Sequence, residues 1–462
     1  MNGPFGIVLM QKRLHIIILL IVFFIGLSNI VTAQTISAGY YRSWISLPAP
    51  NEIEFNNLTH IIQAFAYPDT AGNISFFAGV PNPALIQAAH SANKKILLSF
   101  GGQTNSDGFG VMTSDSNYRS NFIKNVVTLL TENNYDGIDI DWEYPSIAQG
   151  VQLTVLVKEL RQKFDSLKTS WLITIAAPAT SYYGQNFQYE LMINYVDWFS
   201  IMSYGYHGSF SSHSGPYAPL YQSPLDNDGC AAFSAGYMYY TRKIPTSKLL
   251  LGIPFFGIQF TTAGLYKPFT GSVPELTFSQ AMDSLRIGGW GYNWDSVSAV
   301  PYLQDSSKTR LITFDDTMSV RLKTEYSFSK NFGGVMIWAL DQDLNDNEQP
   351  LLEAIGNTIR KHASTGIETG KPTSPDAFNL YNNYPNPFNP STIIRISLSE
   401  YSAVKLIIYD VLGREIKTLL NGSLTSGIHS ITFDGSQIPS GIYFYVLSTS
   451  TKSMCKKMIL LK

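Results

Sequence analysis

The chain has 462 residues, of which 14% are charged and 13% aromatic, and its 32 Lys and Arg nearly balance 34 Asp and Glu. That length exceeds one ordinary domain and can bury a large core. With no basic field, nucleic acid is excluded as an expected partner. The 27 Tyr and 27 Phe suit sugar rings, whose C–H faces stack on aromatics, but they serve a core equally well.

At the N-terminus Lys12, Arg13 and His15 precede an apolar run from Ile16 to Leu27, and Val31-Thr32-Ala33 offers a small-residue cleavage pattern. The pattern predicts a signal peptide over 1–33 and a mature chain from Gln34. The run is short for a membrane span, so none is expected in the mature form; a retained anchor is the alternative. Cys230 and Cys455 fall in different expected domains, and no disulfide framework is predicted.

From Thr35 to His362 strand-like and helix-like segments alternate. Strands are expected at 36–41, 60–67, 94–102, 135–144, 171–178, 197–204, 248–257 and 332–340. Helical patterns lie between them, such as 117–133 and 152–167, the latter with Leu153, Leu156, Val157 and Leu160 on one face. Eight strands separated by helices predict an α/β fold, a closed (β/α)8 TIM barrel over 34–362 with an insertion. The alternative, an open doubly wound sheet, lacks a Gly-rich phosphate loop.

Within the fourth strand the stretch DGIDIDWEYP, Asp136 to Pro145, sets Asp139, Asp141 and Glu143 on one face and Ile138, Ile140 and Trp142 on the other. In a barrel the acids climb the inner wall toward the C-terminal mouth, where active sites lie, and the apolar residues face the helices. Three carboxylates in a shielded site cannot all stay ionised, so their pKa values must separate, leaving one acid protonated near neutral pH. That is the requirement of a general acid. Metal binding or neutralisation by basic residues is the competing reading, but the strand supplies no His. No metal and no cofactor are expected.

The stretch DGIDIDWEYP resembles the DxxDxDxE signature of family 18 glycoside hydrolases, the chitinase family, at all four acidic positions. Further likeness lies in GYYRSW on strand one, SFGG (Ser99–Gly102) on strand three and MSYGYHG (Met202–Gly208) on strand six. It continues in GIPFFG (Gly252–Gly257) on strand seven and GGVMIWALDQD (Gly333–Asp343) on strand eight. The resemblance implies substrate-assisted cleavage of β-1,4-linked N-acetylglucosamine polymers such as chitin, with retention. Glu143 is then the acid, Asp141 orients the acetamido N–H and shares a proton with Asp139, and Tyr204 holds the acetamido oxygen. Tyr40 and Ser99 support Asp139, Trp338 floors the reacting sugar, and Asp136 is a supporting residue. Phe65, Gly101, Gly102, Trp142 and Met202 join the expected substrate-binding set. Endo-acting N-glycan hydrolases and wall-glycan hydrolases share the signature, and members that lose the acid become lectins.

The chain departs from the family where Asp usually follows the strand-six Tyr, here Gly205, and where Tyr and Arg are usual on strand seven, here Phe256 and Ile258. Residues 259–312 resemble the family's small α+β insertion; Trp290, Tyr292, Trp294 and Tyr302 line the cleft or form that insertion's own core. A Ser/Thr/Gly/Pro-rich linker spans 363–378. The segment 379–462 alternates polar and apolar residues, with turns expected at Leu412-Gly413, Asn421-Gly422 and Ser440-Gly441, and predicts an all-β, immunoglobulin-like sandwich. By pattern alone it is a sorting signal, a carbohydrate-binding module or a spacer. YPNPFNPST (Tyr384–Thr392), YDVLGREI (Tyr409–Ile416) and SGIYFY (Ser440–Tyr445) resemble the type A sorting domain, or Por secretion tail, of the type IX secretion system. The expected partners are therefore a chitin-like polysaccharide and that secretion machinery. A monomer is expected, exported through the periplasm to the cell surface or medium.

Overall fold

The computed structural model describes residues 35–461 except 46, 168–169, 345–347, 365–377, 382, 384–385, 387, 399–400 and 426. The expected signal peptide and most of the linker lie outside the described residues.

Eight parallel strands close a barrel: Ile36–Arg42, His60–Pro68, Lys95–Gly101, Gly137–Asp141, Leu172–Ala177, Trp198–Ile201, Leu249–Pro254 and Gly334–Trp338. Each pairs with its neighbour in chain order, and strand one closes the ring by pairing with strand eight, Gly39 opposite Ile337. A short strand, Ile74–Phe76, adds antiparallel to strand two.

Two-residue alternation sorts the side chains into two layers. Ile61, Leu98, Ile138, Ile140, Ile173, Ile175, Leu251 and Ile337 pack outward against the helices. Ala38, Tyr40, Ile62, Leu97, Ala176, Leu250 and Met336 fill the interior. The helix Ile147–Leu167 buries Leu153, Leu156, Val157, Leu160 and Phe164, each contributing about 1.5–3 kcal/mol. Asp115 caps the helix Ser116–Asn133 by accepting from the Asn117 and Tyr118 amides, and Asn134 ends it in the left-handed conformation at φ +59°.

The expected strand 248–257 divides in two. Its barrel part ends at Pro254, and Phe256–Thr262 begins an antiparallel sheet with 269–270, 275–277, 290–295, 300–305 and 310–313, covered by the helix Phe278–Ile287. Trp290, Tyr292 and Trp294 share one strand face and are partly buried in packing. The Tyr292 hydroxyl donates to Asp316 at 2.7 Å, and Tyr302 joins Ile258, Phe260 and Leu311. Trp290, Tyr292 and Trp294 thus pack against the cluster continuous with the barrel, and Tyr302 in the insertion's own small one.

The C-terminal segment forms a three-stranded sheet of 379–380, 391–398 and 427–434 and a four-stranded sheet of 402–410, 415–424, 441–448 and 453–460. Its own core holds Ile394, Ile396, Leu406, Ile408, Tyr445, Leu447 and Met458. The expected turn at Asn421-Gly422 is not one: Val404 pairs with Gly422 and Lys405 with Asn421 inside the ladder. Gly413, at φ +76°, does stand at a turn. Cys230 is buried and Cys455 exposed, and both are free thiols. Among the described residues no helix is long and apolar enough to cross a membrane.

Candidate active site

Register across the sheet assembles the site. Ser99 on strand three and Thr174 on strand five lie directly opposite Asp139 on strand four. Both point inward with it, so hydroxyls from two neighbouring strands meet one carboxylate. Ser99 Oγ donates to Asp139 Oδ2 at 2.7 Å and Thr174 Oγ1 to Oδ1 at 2.6 Å. Tyr40 Oη reaches across from strand one to Oδ2 at 2.8 Å. Burial raises the Asp139 pKa, and these three donors oppose that by stabilising the carboxylate.

Asp141, two residues on, is also buried, but its Oδ1 has no hydrogen-bond partner among the described residues. Its pKa stands well above the usual carboxylate range, first through burial and then through the charges of Glu143 and Asp139. Glu143 is raised as well, by burial, with the Tyr144 hydroxyl lowering it in part. The three acids are thus unequal: one hydroxyl-bound, one unpartnered, one at the mouth.

Glu143 does not lie on the strand, as the alternation predicted. The strand ends at Asp141, whose carbonyl accepts from the Gly102 amide at 2.7 Å. The Glu143 amide instead donates to Ser106 Oγ at 3.0 Å, and Ser106 donates in turn to the Gly102 carbonyl. Gly101 and Gly102 explain themselves here. Their φ values are +115° and +86°, and a Cβ at Gly101 would lie 2.2 Å from the Asp141 carbonyl oxygen; one at Gly102 would strike the Phe65 ring at 2.8 Å. Both glycines let backbones close around the acids.

Aromatic rings line the mouth. Trp338 lies 5.2 Å from Tyr40 and stacks on Phe65 at 5.6 Å; Phe65 stacks on Trp44 at 5.9 Å. Tyr204 and Tyr217 approach Phe256 at 6.0 and 4.9 Å. The Tyr204 hydroxyl stays protonated, held up by burial and then by Asp141. Met202 packs in the interior cluster beside Tyr204. Tyr144 stacks on Tyr183 at 4.1 Å. Arg42 pairs with Asp341, its Nε 2.9 Å from Oδ1.

One expected substrate contact lies elsewhere, and Asp136 stands at the strand start, away from the mouth. Trp142 stacks on Phe109 at 5.0 Å in the layer beneath the helices; the alternation that sends Ile138 and Ile140 outward sends it too, so it is not a cleft residue. Asp136 accepts from the Ile96 amide and meets His90 Nε2, both at 2.9 Å, at the start of the strand. Gly205 sits at φ +74°, and a Cβ there would meet only the Tyr217 hydroxyl, at 3.7 Å. Ile258 is buried with Phe260 and Leu311, a setting where an arginine would lack its water.

Thr174, Ser106, Tyr217 and Trp44 were not expected in the site. Thr174 carried a signal: it is polar at an inward position between Leu172 and Ala176. Ser106 and Tyr217 lie on loops whose return to the mouth no local pattern announces.

The model of glycosyl hydrolases family 18 matches residues 36–343, and that of the secretion system C-terminal sorting domain matches 382–461. Over 299 residues the chain is 31% identical to Chitinase A1 of Niallia circulans, a match that takes in 57% of this chain and 42% of that one. The chain therefore spans less than half the length of that relative. A crystal structure of a chitinase from Rhizomucor miehei is 28% identical, with a TM-score of 0.64, covering 70% of this chain and 99% of that one. Human YKL-39, described as a pseudo-chitinase with retained chitooligosaccharide binding, shares the fold at 24% identity and a TM-score of 0.65, over 71% of this chain and all of its own.

Proposed function

The chain belongs to family 18 of the glycosyl hydrolases, and from that premise we propose that it cleaves β-1,4 bonds of chitin-like N-acetylglucosamine polymers with retention. The observation that carries this reading is the unequal state of the three acids. Glu143, whose pKa burial raises, gives its proton to the glycosidic oxygen as the bond to the anomeric carbon breaks. The acetamido carbonyl oxygen of the same sugar attacks that carbon, forming an oxazolinium ion. Asp141 Oδ1, without a hydrogen-bond partner among the described residues, is the acceptor for the acetamido N–H. Tyr204 donates to the acetamido oxygen, and the Asp139 carboxylate, held by three hydroxyls, offsets the positive charge that develops. Water, losing its proton to the Glu143 carboxylate, then opens the ring from the face the leaving group occupied.

Trp338 is the floor under the reacting sugar, with Phe65 and Trp44 extending an aromatic surface beyond it. The boundaries 34–362 for the catalytic domain, 259–312 for the insertion and 379–462 for the sorting domain follow from the same reading. The C-terminal domain directs export by the type IX machinery, through the periplasm after removal of residues 1–33, and the mature protein acts as a monomer.

The departures at Gly205, Phe256 and Ile258 leave N-glycans and wall glycans as competing substrates. Mass spectrometry of products from chitin, acetylated chito-oligosaccharides, chitosan oligomers, peptidoglycan and an N-glycoprotein tests the reading. Cleavage confined to acetylated β-1,4 oligomers is the expected result. Cleavage at a fully de-acetylated glucosamine overturns the substrate-assisted step, and release of N-glycans with chitin untouched overturns the substrate.

A further inference from the structure

The excursion between strands six and seven, residues 202–230, holds a cluster that the acid chemistry does not use. His207 is wholly buried. Its Nδ1 lies 2.9 Å from the Pro216 carbonyl oxygen, an acceptor, so Nδ1–H donates there and Nε2 is the ring nitrogen left to face the cluster. That Nε2 has no hydrogen-bond partner among the described residues. It faces two carboxylates instead, Asp226 Oδ2 at 3.3 Å and Asp228 Oδ2 at 3.4 Å. A buried ring nitrogen set between two carboxylate oxygens, with no hydrogen bond of its own among the described residues, is an arrangement that a shared cation fits.

His213 completes the group. One ligand atom from each of His207, His213, Asp226 and Asp228 lies within 4.8 Å of every other. The His213 Nδ1 is 3.2 Å from the Ser214 carbonyl, the outer-sphere contact that fixes a ligating imidazole's tautomer, and His207 makes the same kind of contact to Pro216. Asp226 is oriented too: its Oδ1 accepts the Asp228 amide at 2.9 Å, and its backbone carbonyl accepts from the Gln222 side chain. With Zn–N and Zn–O bonds of about 2.0–2.2 Å, a tetrahedron has edges of about 3.3–3.6 Å. The two His207 to carboxylate distances already match that. His213 is only partly buried and Asp228 is exposed, so the remaining edges close by side-chain rotation.

We propose that His207, His213, Asp226 and Asp228 form a binding site for a divalent transition cation of the Zn2+ class that staples this excursion. Two imidazoles favour such a cation over Mg2+ or Ca2+, which take oxygen ligands. Four protein ligands close the coordination sphere, as in structural rather than catalytic sites. The staple acts where regular structure is missing, since the excursion contains no strand or helix among the described residues between Ile201 and Ala231. It also bears on the cleft. The Pro216 carbonyl bound by His207 adjoins Tyr217, whose own carbonyl accepts the Tyr206 amide at 3.1 Å and whose ring packs on Phe256.

The test uses the full-length mature chain without a histidine tag, dialysed against a chelator and then titrated with ZnCl2. One Zn2+ per chain is expected by calorimetry and by elemental analysis after desalting. Tm should rise with Zn2+ and not with Mg2+ or Ca2+. Asp228→Asn and His213→Gln, both at accessible positions, should keep the fold and lose stoichiometric retention. His207→Ala, which empties a buried position, is read only by comparing its Zn2+ response with that of these two. Absence of Zn2+ binding by the wild-type chain overturns the site, as does undiminished retention in both accessible variants. A preference for Ca2+ overturns the assigned metal class.

Discussion

Thr174→Val removes one hydroxyl from Asp139 while keeping the shape of the side chain. In the native chain Asp139 accepts from Thr174, Ser99 and Tyr40 at 2.6–2.8 Å in a fully buried setting. A hydrogen bond to a charged group contributes about 1.5–3 kcal/mol, and 1.36 kcal/mol corresponds to one pH unit. Hydrogen bonding to the ionised form lowers a carboxyl pKa, so its loss raises the pH at which Asp139 takes up a proton. Once Asp139 and Asp141 are both protonated, no fixed negative charge faces the oxazolinium, and turnover falls. The acid limb of kcat/KM should therefore move upward by about one to two pH units. The basic limb, which reports loss of the Glu143 proton, should stay in place. Ser99→Ala and Tyr40→Phe should shift the same limb in the same direction. The assay is kcat/KM against pH on one soluble acetylated chito-oligosaccharide, with folding checked by circular dichroism. A stationary acid limb in all three folded variants, or a downward shift, would refute the assignment of the working negative charge to Asp139.

Glu143→Gln should lower kcat by at least about 10²-fold, while tryptophan fluorescence still reports oligosaccharide binding; activity within tenfold of wild type would remove Glu143 as the acid. Gly205→Asp adds a carboxylate near Glu143, disfavours its ionisation and should move the basic limb of kcat/KM upward. At φ +74° the variant should also lose about 1 kcal/mol of stability, measured by urea unfolding; an unmoved or lowered limb in the folded variant rules out coupling. Removing residues 379–462 should leave hydrolysis of soluble substrate intact, because the C-terminal segment has a core of its own. In the native host the shortened chain should be retained in the periplasm, and normal delivery to the medium would end the sorting assignment.

Local pattern alone determined much of this protein. Two-residue alternation placed Ile138 and Ile140 outward and Asp139 and Asp141 inward, and the run of eight strand-like segments implied a closed barrel. Alternation is a property of the backbone, independent of what the strand packs against, which is why it is legible in one dimension. The same rule sent Trp142 to the helix side, against its placement among the substrate contacts. Where the chain leaves regular structure the rule lapses: the strand stops at Asp141, and Glu143 is held by a serine 37 residues earlier in the chain. Only register between strands decided that Thr174 and Ser99 flank Asp139, and hence which acid is stabilised as a carboxylate. The tertiary structure alone decided that His207, His213, Asp226 and Asp228 converge. His207 and His213 stand at a spacing that zinc ligands use, but Asp226 and Asp228 follow about a dozen residues later, and the four meet only once the excursion has folded back on itself.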